Sequence, residues 1–126
     1  MMWKWIQRLA SPKVFYETSN KLIPWFLWPF IGLVLLGLYW GLVVAPADYQ
    51  QGESFRIMYI HVPSAWLSML VYLIMAIVGG IGLIWQIKVA QVVAKVSAPI
   101  GASFTLIALA TGAIWGKPMW GTWWVW

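Results

Sequence analysis

Long runs without charge dominate the pattern of this chain. No Asp, Glu, Lys or Arg occurs from about Pro24 to Val44, from Pro63 to Ile87, or from Val96 to Trp115. At ~1.5 Å of rise per helical residue, each run is long enough to cross roughly 30 Å of hydrocarbon. Stretches such as IGLVLLGLYWGLVV do not alternate between apolar and polar positions, as a strand of a membrane barrel would. A helix, in contrast, satisfies its own backbone hydrogen bonds in lipid. The pattern therefore predicts an all-α, polytopic membrane bundle with spans at 24–44, 63–87 and 96–115. The remaining segments read as an amphipathic leader over 1–22, loops over 45–62 and 88–95, and a tail over 116–126.

Proline and small residues refine the spans. Pro24 and Pro63 stand near predicted span starts and Pro99 in the first turn of the third, where a missing N–H costs little, while Pro29 is placed to kink the first span. Gly101, Thr105, Ala108 and Gly112 recur every three or four residues and form a stripe on which another helix can pack closely. Gly37 with Gly41, and Ala76 with Gly80, offer similar pairs.

Composition excludes the soluble classes. Of 126 residues 63% are hydrophobic and 9% charged, too few charges to cover a folded monomer in water. The net charge of +5 is scattered between apolar runs rather than gathered into a patch, so no nucleic-acid partner is expected and the lipid bilayer is. Instead, the cations set orientation. Lys4, Arg8, Lys13 and Lys21 precede the first span and Lys88 and Lys95 lie between the second and third, whereas Arg56 and Lys117 fall on the other side. The N-terminus is thus expected in the cytoplasm, and residues 45–62 and 116–126 outside. A signal peptide ending at Ala45-Pro46-Ala47 is the competing reading. The apolar run is longer than a signal core, the basic leader is long, and Pro46 sits inside the would-be cleavage site. In the leader, Trp3, Trp5, Ile6 and Leu9 suit a short helix lying on the inner membrane surface.

Few residues can carry chemistry. The chain has no Cys, hence no disulfide, thiolate site or covalent haem attachment, and its spans hold no charged side chain that would mark an ion path. It has no phosphate-binding glycine motif, and one His with three acids makes no catalytic set, so no enzyme activity is expected. The twelve Trp are the unusual feature. Trp25, Trp28 and Trp85 fall at inner span ends and Trp40, Trp66 and Trp115 at outer ones, as in interfacial belts. Trp120, Trp123, Trp124 and Trp126 exceed what a belt requires. Spaced by Gly116, Pro118 and Gly121, they offer an aromatic surface for a membrane boundary or for a flat ligand such as a porphyrin or quinone. His61, the single histidine, falls at the outer boundary, where it could be a surface residue or an iron ligand. Arg56 and Lys117 could meet propionates or headgroups, and Met58 and Met119 lie nearby, better suited to filling apolar space.

The segments APADYQQG, RIMYIHVPSAW, SAPIGA and WGKPMWGTWWVW, in this order and spacing, closely resemble the haem-handling protein C family (CcmC) of bacterial cytochrome c maturation, over nearly the whole chain. The Trp-rich run is similar to the start of that family's external WWD domain. The resemblance implies an inner-membrane protein that binds haem b non-covalently on the periplasmic side and presents it to a periplasmic haem chaperone. It further implies an association with the membrane subunits and ATP-binding subunit of a transporter complex. On that likeness His61 is one of two axial iron ligands. Trp120, Trp123, Trp124 and Trp126 form the haem platform, with Trp115 at its edge. The family pattern continues beyond Trp126 with an Asp, further spans and a second external His, so the chain is expected to be the N-terminal half of a six-span protein. The function expected is carriage, not catalysis. The alternatives are a cytochrome b-type anchor in electron transfer, which usually holds its ligands inside the spans, and a permease subunit of a transporter.

Overall fold

The computed structural model describes Arg8 and residues 10–124. Trp3, Trp5, Ile6 and Leu9 of the leader, and Trp126 of the expected platform, lie outside the described residues. The described chain is helical, as expected. It comprises α1 (Pro12–Tyr39), a π-helical turn at Trp40–Val44, a 3-10 turn at Glu53–Ile57, α2 (Met58–Ile84) and α3 (Lys88–Trp120). Three helical segments are long and apolar enough to cross a membrane: Pro12–Val44, Glu53–Ile84 and Lys88–Trp120.

Each helix outruns its charge-free stretch. Absence of charge marks what can sit in hydrocarbon, whereas a helix continues into the interface as long as its hydrogen bonds can. α1 starts with Ser11 at its N-cap and Pro12 in the first turn, and carries Lys13, Glu17 and Lys21 before the apolar run begins. Pro24, Pro63 and Pro99 are consequently interior to their helices rather than at the starts, each removing one helical hydrogen bond. The largest correction concerns 88–95, expected as a loop. Those residues form the opening turns of α3, and the reversal is confined to Trp85, Gln86 and Ile87. Gln86 adopts φ 52°, a left-handed conformation that lets so short a connection turn the chain. Gln91 Nε2 donates to the Gly82 carbonyl at 3.2 Å, fastening the start of α3 to the end of α2.

α2 and α3 form an antiparallel hairpin that holds most of the tertiary contact. Its register shows in the glycines: a Cβ at Gly82 would meet Gln91 at 2.9 Å, one at Gly101 would meet Val71 Cγ1 at 2.9 Å, and one at Gly112 would meet His61 Cε1 at 3.0 Å. The Gly101 to Gly112 stripe therefore does what its spacing predicts and admits α2 at close range. Gly37 and Gly80 instead face open space.

α1 joins the hairpin chiefly at its C-terminal end. There the chain widens into the π turn, with Ala45 N–H donating to the Trp40 carbonyl at 2.8 Å. Gly41 is buried, its Cα face against Tyr59, where a Cβ would come within 2.9 Å of the ring. Residues 45–52 form a compact turn organised by Asp48. Its carboxylate accepts from the Gln50 and Gln51 N–H groups at 2.9 and 2.8 Å, and its backbone pairs with Gly52, which is held at φ 59°. Very little is enclosed: Ala90 and Ser64 are the buried non-glycine residues described, and large apolar side chains line the outside of all three helices. Such a surface suits lipid rather than water.

Candidate functional site

His61 was expected in a loop just before the second span. The structure places it within the first turns of α2, half-buried, with its ring lodged against the end of α3. Hairpin register produces this meeting, since the turn at 85–87 lays His61 opposite Gly112, whose missing side chain leaves the imidazole its slot. Nδ1 lies 3.0 Å from the Ala108 carbonyl oxygen and 3.1 Å from Thr111 Oγ1. Nε2 makes no hydrogen bond. Because no fully enclosed side-chain nitrogen or oxygen among the described residues lacks a partner, Nε2 is not sealed inside the molecule.

The indoles continue from the histidine. Trp115 stands one helical turn beyond Thr111, its ring 6.4 Å from that of His61 and tilted by 30°. Trp120 meets Trp115 edge to face, with centroids 5.0 Å apart and planes at 77°, a favoured aromatic geometry. Position along the chain suggested an outer belt for Trp115, but the indole is turned into the molecule. Its Nε1 donates to Gln51 Oε1 at 3.1 Å, tying α3 to the turn between α1 and α2. The other belt candidates, Trp25, Trp28, Trp40, Trp66 and Trp85, all project outward.

The tail is helical as far as Trp120 and then turns sharply. Gly121, at φ 75°, closes α3 with its N–H donating to the Lys117 carbonyl at 3.0 Å, a glycine cap of the usual left-handed kind. The reversal folds Trp123 and Trp124 back beside α3. Gly112, Ala113, Gly116, Trp120, Thr122, Trp123 and Trp124 enclose an open groove of about 430 Å³. Trp120, Trp123 and Trp124 keep 65%, 58% and 49% of their surfaces exposed, so the aromatic faces are presented outward rather than consumed as core. Gly112 borders both the histidine and this groove, so the two motifs adjoin, although His61 and Trp115 do not themselves line the groove.

The two cations are placed differently. Lys117 Nζ donates to the Gly121 carbonyl at 3.0 Å and sits 5.9 Å from the Trp123 ring centroid, at the rim of the groove. Arg56 belongs to the junction with α1. Its Nε pairs with Glu53, and Nη1 donates to the Leu42 carbonyl at 3.0 Å, which satisfies an acceptor at the end of the π turn. Nη2 makes no hydrogen bond and is the part of Arg56 left for an anionic group. Met58 opens α2, and Met119 lies in the last turn of α3. Thr111 and Gln51, which hold the histidine and an indole in place, were not singled out by the sequence pattern, because their contacts span 50 and 64 positions.

Comparison with known proteins identifies the family. A family model described as "Heme exporter protein C" matches residues 5–126. The "Heme exporter protein C" of Haemophilus influenzae is 58% identical over 127 residues, covering 99% of this chain and 51% of that protein. The protein of the same description from Escherichia coli K12 is 52% identical over 125 residues, with the same coverage. A "Putative cytochrome c biosynthesis ccmC-like mitochondrial protein" of Marchantia polymorpha is 51% identical over 94 residues, covering 75% of this chain and 41% of that protein. The chain thus spans about half the length of the curated relatives it matches. With its family model matched over nearly every residue, this chain belongs to the heme exporter protein C family.

Proposed function

We propose that this chain forms the haem-holding part of a carrier at the periplasmic face of the bacterial inner membrane. The haem is b-type, in keeping with the family resemblance, and is held by this chain without a thioether, for which it has no Cys. His61 supplies one axial nitrogen, and Trp115, Trp120, Trp123 and Trp124 supply an aromatic surface for the porphyrin, with Trp126 completing the run. Lys117 at the groove rim, and Arg56 through its remaining Nη2, neutralise propionates. A second axial ligand comes from outside this chain. From this exposed platform haem passes to a periplasmic chaperone, and the membrane and ATP-binding subunits of a transporter complex act with the carrier. The protein binds and orients its cargo and catalyses no reaction.

One observation carries the reading. The single histidine is braced by α3 with Nε2 unpaired and not enclosed, directly beside the edge-to-face indoles of Trp115 and Trp120. A histidine held only for packing would not need to leave a nitrogen open beside an outward aromatic surface. Haem content and oxidised and reduced absorption spectra of the full-length protein and its His61→Ala variant, purified in detergent, test it. Loss or alteration of the haem signal is expected. An unchanged six-coordinate spectrum with unchanged content overturns the assignment.

A further inference from the structure

The hydrogen bonds around His61 settle more than its position. The Ala108 carbonyl, 3.0 Å from Nδ1, can only accept. The Thr111 hydroxyl has one hydrogen, and its shortest contact, 2.7 Å to the Ile107 carbonyl of its own helix, is the acceptor that best takes it; so placed, Oγ1 turns a lone pair toward the imidazole. An unprotonated Nδ1 would place its lone pair against two acceptors at once. Nδ1 protonated, in contrast, shares its hydrogen between them.

We infer that α3 fixes the tautomer of His61 through Ala108 and Thr111, making Nε2 the iron-accepting nitrogen, and that Thr111 is a positioning residue that tunes the electron donation of the imidazole. The inference rests on the reading of His61 as an axial ligand. An acceptor on the far nitrogen raises the basicity of a ligating imidazole and favours ferric over ferrous iron. Two acceptors on α3 therefore hold the potential of the haem lower than one would. Gly112 serves the same geometry by leaving room for the ring edge, 3.0 Å from where a Cβ would stand. Among the described residues the hydrogen-bond partners of the ring include no Lys, Arg, Asp or Glu side chain, so the device is built from neutral dipoles.

The test compares Thr111→Val, which keeps the shape and removes the acceptor, with Thr111→Ser, which restores it, and with His61→Ala, all in the full-length protein. Two readouts are taken: the reduction potential of the bound haem, and the 15N shifts of histidine-labelled, haem-free protein, with the His61 signal assigned by its absence from His61→Ala. In wild type the shifts should report hydrogen on Nδ1. Thr111→Val should move the potential in the positive direction and Thr111→Ser should return it toward wild type, with haem content near wild type in both. A Thr111→Val protein with wild-type potential and shifts, or a His61 protonated on Nε2 in the haem-free protein, overturns the inference. Should Thr111→Val fail to fold, Thr111→Ala gives the same comparison. If His61→Ala itself retains the wild-type spectrum, it is the ligation reading that fails, and the 15N shifts still decide the tautomer separately.

Discussion

Trp115 lives in two environments, with its ring toward His61 and Trp120 and its Nε1 bonded to Gln51 in the turn after α1. Removing the acceptor with Gln51→Leu leaves the indole N–H without its protein partner in a half-buried position. A hydrogen bond of this kind contributes about 1 kcal/mol net. Thermal unfolding in detergent should show a lowered midpoint for Gln51→Leu, whereas Gln50→Leu, whose side chain makes no hydrogen bond, should leave it in place. Equal midpoints would mean that water replaces Gln51 at no cost. At this scale the sequence was informative where a residue type is rare. One histidine and a dense Trp run stand out in any reading, and the structure joins them. Thr111, Gln51 and Ala108 have no such distinction, being common residues whose importance comes from what lies opposite them. The role of Trp115 was concealed for the same reason, because a Trp at a span end serves equally as belt or as platform until its neighbours are known.

Helix existence was legible and helix ends were not. A run without charge locates the hydrocarbon-crossing part of a helix, but α1 continues outward past Lys21, Glu17 and Lys13, and α3 reaches back through Lys95 and Lys88. Misplacing the reversal in 88–95 had a consequence for the site. A hairpin folded there would set His61 opposite about Thr122, in the Trp run, instead of opposite Gly112. The actual reversal depends on Gln86 at φ 52°, a conformation that a side chain disfavours by roughly 1 kcal/mol. Gln86→Gly should therefore raise stability by about that amount, read as a higher thermal midpoint, and an unchanged or lower midpoint would show that the turn is not strained in the folded protein. The packing seam makes an opposite prediction. Gly101→Leu must displace Val71, since even a Cβ would come within 2.9 Å of it, and should destabilise the α2–α3 hairpin by about 1–3 kcal/mol. Gly37→Leu, on an open helix face, is the matched control and should unfold like wild type.

Across the whole molecule, three crossings place the start of α1 and the 85–87 turn at one face, and the π turn, the Asp48 turn, His61 and the Trp run at the other. The cation count assigns those faces. Lys13, Lys21, Lys88 and Lys95 lie toward the first, joined by Arg8 and Lys4 in sequence, against Arg56 and Lys117 toward the second. Cytoplasmic loops retain Lys and Arg, so the face carrying His61 and the described indoles should be periplasmic. Because the chain contains no Cys, single cysteines can report on this directly. Gln50 lies in the Asp48 turn and Gln86 in the α2–α3 reversal, and both are exposed. In intact spheroplasts a membrane-impermeant maleimide should label Gln50→Cys and should reach Gln86→Cys only after permeabilisation. The reverse pattern would put His61 and the indoles in the cytoplasm. The proposed periplasmic presentation would then fall, while the proposed ligation of iron by His61 would be left untouched, since the distances from His61 to Ala108 and Thr111 do not depend on which side of the membrane they face.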